Sequence, residues 1–382
     1  MTIAALDLNA DRIWAVSGAL GQSPQALYLD SSRPDLALAI AMVDSSIKVG
    51  RAALGVVRLT PHRVCRGFLP RLGEQCVWQL GGKQLQPDAA MALSLAKLQP
   101  LLMGSRGLVL AVPPYLSREQ VALLVRLCQQ AGLPAMGAVS RSLAAALSCY
   151  ADHPSHQVGL VVDVDDHAFT CTIVRPTETE MICQGKRSVT ALGLRVWKEK
   201  LLSRVADLCI RVCRRDPRQS PEADQSVFDQ IDNVLEGCSQ NRSVPVRVQA
   251  TDWYQTLSVH PAEAAAACGV LAAQAAEVVK SALAWAEQQM SSPMLWLTAG
   301  AARLPALAAA IYARCSNRMS LAVLPASAIA QAAHSLAERI QAGELAPCFF
   351  DPMAPLPLQE RTDTPPMLQF PQRLRQTADE LI

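Results

Sequence analysis

Net charge is almost absent from this chain. Its 35 lysines and arginines are set against 33 acids, which leaves a formal charge of +2 over 382 residues, and charged side chains make up only 18% of the composition. Such a balance gives no long-range field to draw in nucleic acid. Aromatics are scarcer still at 4%, and no basic stripe is interleaved with them to stack or clamp bases. Nucleic acid is therefore not an expected partner. No apolar run approaches the ~20 residues that a membrane span needs. MTIAALDLNADRIWAV enters its first strand without a basic leader. The expectation is a cytoplasmic protein with no membrane span. The six histidines are dispersed, and the twelve cysteines are scattered, several at apolar helical positions where cysteine acts as a small hydrophobe. Cys209 and Cys213 share a helical face and are the pair to weigh as a metal or redox site. No second pair with metal-site spacing accompanies them, so structural thiols are expected.

Apolar residues, in contrast, are plentiful at 51% of a 41.0 kDa chain. That excludes global disorder and can fill the cores of two domains with a tail besides. The most readable stretch is 107–150. It gives an apolar strand, two prolines, a helix that Ser117 can cap, a second strand and a small-residue helix. Val121, Leu124, Val125 and Cys128 form one stripe on the first helix, and Gly132 and Pro134 stop it. Strand, helix, strand, helix at this pitch predicts an α/β layer fold. Residues 3–8 and 158–174 each read as strand–turn–strand, carrying Asp7 and Asp163. Helices are expected over 87–103, to about 214, over 221–238, through the alanine-rich 262–290, and over 326–342. From about 345 the tail holds seven prolines and is expected to form neither helix nor sheet.

Val112-Pro113-Pro114-Tyr115, Ala131-Gly132-Leu133 and Ala144-Ala145-Ala146-Leu147 resemble the ATPase domain of DnaK-type heat-shock chaperones. That family writes the stretch as VPAYF, AGL and NEPTAAAL. The resemblance continues in family order over roughly 3–342. Asp7-Leu8-Asn9-Ala10-Asp11 stands at the first phosphate loop, DLGTT. Val49-Gly50-Arg51-Ala52-Ala53 stands at VGDAA, with Arg66 the nearest candidate for the basic residue that approaches the γ-phosphate. VGLVVDVDDHAFTCTIV matches the second phosphate loop, DLGGGTFDVSI. Ala191-Leu192-Gly193-Leu194 resembles HLGG, and MLWLTAGAARLPAL resembles the adenosine motif LVGGSTRIPKV, keeping Gly300, Arg303 and Pro305. The resemblance implies an actin-like fold of two α/β lobes, 1–157 and 158–344, around a central cleft. A linker-like proline-rich tail, 345–382, follows without a peptide-binding domain. Its apolar residues Phe349, Phe350, Leu368 and Phe370 are candidates for docking onto the body or onto a partner protein.

The departures from the family fall on the groups that touch nucleotide. Asp7 and Asp163 keep the metal-side carboxylates, but Asn9, Ala10 and Asp11 replace a glycine and two threonines. Asp165, Asp166 and His167 fall where the second loop has glycines that let backbone approach phosphate, and Ala168 where it has threonine. A carboxylate ~4 Å from a phosphate charge costs ~4 kcal/mol at an effective dielectric of 20, against the ~8 kcal/mol of a micromolar ligand. Arg141 falls where the family glutamate orients water. A guanidinium cannot accept that proton, although it can pair with a phosphate or a nearby carboxylate. Ile231-Asp232-Asn233-Val234-Leu235-Glu236 lacks the lysine and arginine that clamp adenine. The resulting expectation is a pseudo-ATPase with no catalytic residue, acting as a protein-binding scaffold or adaptor. Its cleft would be faced by Asp7, Arg66, Asp163, Asp165, Asp166, Gly193, Gly300 and Arg303. No cofactor is expected. The alternatives are a working hydrolase that binds ATP or ADP with magnesium on Asp7 and Asp163, and an actin-like assembly protein. Asp7, Asp163, Asp165 and Asp166 also allow a second reading as a hard-cation cluster, against a polar, solvated cleft.

Overall fold

The computed structural model describes residues 2–31, 33–152, 158–287, 294–315, 320–346 and 354–358. It is a mixed α/β protein with two six-stranded sheets and three smaller ones among the described residues.

The two large sheets share a plan. In the first, Thr2–Leu8 and Arg12–Ala19 form an antiparallel hairpin. Ser105–Val112 and then Ala135–Ser140 add in parallel on the free side of Thr2–Leu8. In the second, Gly159–Val164 and Phe169–Pro176 form the hairpin, and Met294–Leu297 and then Ser320–Val323 add in parallel beside Gly159–Val164. The parallel strands need long crossovers, which are helical. Each hairpin therefore has one central strand, buried on both sides, that ends in an aspartate turn.

The expected strand–helix unit forms as read. Ser105–Val112 leads to helix Arg118–Gln130, whose Ser117 and Gln120 make a reciprocal capping box. Gly132 at φ 74° turns the chain into Ala135–Ser140, and helix Arg141–Asp152 follows. One apolar cluster fills the first sheet and its outer helices around Leu6, Ile40, Phe68 and Leu95. A second lies under the other sheet around Phe169, Trp197, Val205 and Val279. A third joins the two sheets: Ile3, Ala5 and Val109 from one, Val161 and Trp296 from the other, with Ala144, Ala145, Ala146, Ile329 and Ala333 between them. Alanine dominates that seam because helices Arg141–Asp152 and Ala328–Gln341 must both fit between backbones.

Three sequence expectations change. The helix expected over 221–238 is two helices, Pro221–Phe228 and Ile231–Ser239. At the break, Gln230 turns its amide onto Arg247, accepting from its N–H and donating to its carbonyl. Helix Pro261–Glu287 is, by length and composition, apolar enough to cross a membrane. In the fold its Ala264, Cys268, Leu271, Ala275, Val279 and Leu283 face is buried in the second core. The tail also makes a short strand. Leu356 and Pro357 pair with Met181 and Glu180, and Leu358 is buried, its N–H donating to the Thr179 carbonyl at 2.7 Å. Proline is tolerated there because the strand lies at the sheet edge. Phe349, Phe350, Leu368 and Phe370 lie outside the described residues.

Candidate functional site

The two hairpin turns face each other, and the helix that starts at Arg141 points its first side chain between them. Asp7 comes from the end of strand Thr2–Leu8 and Asp163 from the end of strand Gly159–Val164. Arg141 Nη1 donates to Asp7 Oδ1. Its Nε donates to Asp163 Oδ2 at 2.9 Å and its Nη2 to Asp163 Oδ1 at 3.4 Å. All three residues are buried, at 6%, 5% and 6% exposure. Asp163 Oδ1 also accepts from Thr298 Oγ1 at 2.7 Å and from the Val164 N–H at 2.9 Å. The guanidinium therefore sits where two carboxylates from separate sheets converge.

Asp165 is engaged differently. Its Oδ2 accepts from the Ala10 N–H at 3.0 Å and from the Tyr115 hydroxyl at 2.5 Å. Its Oδ1 accepts from the His167 and Ala168 N–H groups, both at 2.9 Å. One carboxylate thus collects backbone donors from both hairpin turns. Asn9 closes the first turn on itself, its Oδ1 accepting from Asp11 and Arg12 N–H, in the manner of an Asx turn.

Around this centre lies a ring of longer reach. Arg66, on strand Val64–Arg66, donates to Asp166 Oδ2 at 2.7 Å. Lys198 pairs with Asp232 at 3.1 Å and approaches Asp166 at 3.9 Å. Arg303 reaches Asp232 at 3.5 Å, while its Nε and Nη2 have no partner among the described residues. Gly193 has an ordinary φ of −61°. Its lack of a side chain matters for packing, since a Cβ there would meet the His167 backbone at 2.8 Å. Gly300 similarly abuts the Val164 carbonyl, 3.2 Å from where its Cβ would be.

The expected residues thus sort themselves by position. Arg141 meets Asp7 and Asp163 directly, Asp165 is held beside them by Tyr115 and backbone N–H groups, and Arg66 and Asp166 form one bridge outside them. Gly193 and Gly300 shape the second turn, and Arg303 stands aside on Asp232. Tyr115 and Thr298 were not singled out from sequence. Tyr115 was visible only as the end of the VPPY turn, and Thr298 lies within MLWLTAGAARLPAL but is not one of the positions that carry the resemblance. Among the described residues no group of three or more His, Cys, Asp or Glu is arranged to hold a metal ion. The carboxylates of the candidate cation cluster are turned to Arg141, to Arg66 and to backbone N–H groups instead. The cavity left beside them, lined by Asp7, Asn9, Arg12, Arg141, Thr298 and Gly300, holds about 60 Å³. That is well below the roughly 300–1,000 Å³ of ligand pockets. A more open groove of about 380 Å³, lined by Ser226, Asp229, Arg247 and Thr256, lies apart from this centre.

Compared with known proteins, the chain matches no family model and no curated protein.

Electrostatics follow from burial. Desolvation pushes the Asp7 carboxyl up to about 6, with Arg141 opposing and Asp163 adding to the rise. Burial likewise pushes Asp165 up to about 7, although Tyr115 and the backbone N–H groups favour its charged form. The Arg141 guanidinium is raised despite burial, because Asp163 and Asp7 hold its charge in place. Both carboxyls sit above their ordinary 3.8, so the native protein retains protons that the unfolded chain has released. Their contribution to stability is present below about pH 4 and lost as pH rises through 6 and 7. From pH 4 to 8 the melting temperature of Asp7→Asn should therefore gain steadily on that of the wild type, whose Asp7 loses its contribution over that range. Removing the cation is expected to be severe. Arg141→Ala should destabilise by about 3–5 kcal/mol, because two buried carboxylates lose their partner. The double variant Arg141→Ala/Asp163→Asn should recover at least about 1 kcal/mol against the sum of the single changes. Additive losses in chemical denaturation would contradict the pairing.

Proposed function

We propose that this chain is a DnaK-like, actin-fold protein of the cytoplasm that has given up nucleotide hydrolysis and works as a protein-binding scaffold or adaptor. The repeated sheet plan supports reading 1–157 and 158–344 as two lobes around the cleft, with 345–382 as a linker-like tail. The observation that carries the proposal is the Arg141 guanidinium lodged between Asp7 and Asp163.

In an actin-like ATPase the two carboxylates would face a hydrated metal, and the backbone N–H groups of the turns would face phosphate. On this reading each role is filled from within the chain. Arg141 supplies the positive charge between the carboxylates, and Asp165 supplies the anion that accepts from Ala10, His167 and Ala168 N–H. A phosphate entering the turns would have to displace a carboxylate already satisfied by four donors. A metal would have to displace a guanidinium held on both sides. The three carboxylates at the middle of the centre, Asp7, Asp163 and Asp165, are all engaged as acceptors within the chain, which ties them up against orienting an attacking water. What such an arrangement can do is hold its two sheets in one relative position and present a fixed surface to partners.

Calorimetric titration with ATP and with ADP, each with and without magnesium, tests the proposal. No binding up to millimolar nucleotide is expected. Magnesium-dependent micromolar binding, and turnover that Asp163→Ala abolishes, would overturn it in favour of a working ATPase.

A further inference from the structure

The last turn of helix Leu194–Cys213 carries two thiols that take no part in the cleft. Cys209 and Cys213 are one turn apart, and their Sγ atoms lie 3.4 Å from each other. Cys213 Sγ also donates to the Cys209 carbonyl at 3.2 Å, which turns it back along the helix. Cys209 is fully buried in the second core, while Cys213 is half-buried at the helix end. The helix stops there, with Arg214 in the left-handed region at φ 60°. The exposed Arg214 and Arg215 that follow leave the pair reachable from solvent through Cys213. Burial, and then the neighbouring Cys213, push the Cys209 thiol up to about 12.

Distances decide which chemistry suits this pair. Residues four apart on a helix have Cβ atoms roughly 5–6 Å apart, whereas a disulfide needs roughly 3.5–4.5 Å. Oxidation would have to pull the turn out of its helical shape. An atom bound to both sulfurs makes no such demand. With a bond of roughly 2.3 Å, the length of a zinc–thiolate bond, a 3.4 Å sulfur separation subtends roughly 95° at that atom. A tetrahedral ion would want the sulfurs roughly 3.8 Å apart and a linear two-coordinate ion roughly 4.6 Å apart at the same bond length. Among the described residues no third His, Cys, Asp or Glu is grouped with the pair, which suits a three-coordinate soft centre that brings its own third group.

We infer that Cys209 and Cys213 form a vicinal-dithiol site that chelates a three-coordinate thiophilic centre, the simplest being trivalent arsenic. With an organoarsenous acid, R–As(OH)2, two As–S bonds form and two As–O bonds break. Each thiol proton leaves on a displaced hydroxide, giving two waters. Nothing is oxidised or reduced. The inference is independent of what the cleft binds.

Phenylarsine oxide, hydrated in solution to such an acid, is the probe, added to the full-length protein and followed by intact mass. One equivalent should add to the native protein. It should survive an excess of glutathione and leave on addition of a small dithiol. Cys213→Ser, at the half-buried position, should stay folded by circular dichroism and bind about a hundredfold more weakly, since chelation gives way to a single bond. Cys209→Ala, which keeps a small apolar group in the core, should show the same loss. An adduct that persists in Cys213→Ser, that glutathione strips from the wild type, or that forms only after denaturation would overturn the assignment.

Discussion

A buried guanidinium between two buried carboxylates constrains this structure more than any other contact. Asp7 and Arg141 are 134 residues apart in sequence, and Arg141 and Asp163 are 22 apart. They come from two different sheets and from a helix in the seam between them. Burying such charges is favourable only when every member is paired, because an orphaned buried charge is far more costly than the pair is stabilising. The constraint therefore acts on geometry: the two hairpins must come close enough to share one arginine. Other contacts then span the same gap. Arg66 reaches Asp166 and Tyr115 reaches Asp165, Lys186 donates to the Pro114 carbonyl, and Arg58 pairs with Glu199. Gln225 ties the Pro221–Phe228 helix to the Leu54 carbonyl and the Arg58 N–H.

The turns themselves show how a side chain can replace an external acceptor. Backbone N–H groups in tight turns must be paired when buried. Asn9 satisfies two of them locally, and Asp165 gathers three from two hairpins. Once these donors are committed, the turns lose the open backbone concavity that binds anions. Two elevated carboxyl pKa values follow from burial, which desolvates Asp7 and Asp165 more than their hydrogen-bond and charge partners offset.

Much of the architecture was legible in the sequence because it rests on local rules. The cap at Ser117, the stripe on Arg118–Gln130 and the apolar strands ending in Asp7 and Asp163 all formed where their patterns placed them. The site was legible in part. Arg141 was readable as a cation able to meet a carboxylate, but which carboxylates it would meet depended on the packing of two sheets. Asp165 was weighed as repulsion toward a phosphate, whereas in the fold it accepts four hydrogen bonds. Nothing local in Asp-Asp-His reveals that the Ala10 N–H, 155 residues away, will be its donor. The helix break at Gln230 and the strand pairing at Leu356 were hidden for the same reason. Each is decided by a partner distant in sequence that overrides local propensity.

The most direct measurement of the central claim is thermal stability of Arg141→Ala and wild type with and without millimolar magnesium or calcium. If the guanidinium stands in for a cation, removing it leaves Asp7 and Asp163 facing an empty, negatively charged space. The divalent ion should then raise the melting temperature of the variant by several degrees and leave the wild type unmoved. Equal responses in the two proteins, or none in the variant while it remains folded, would contradict the account.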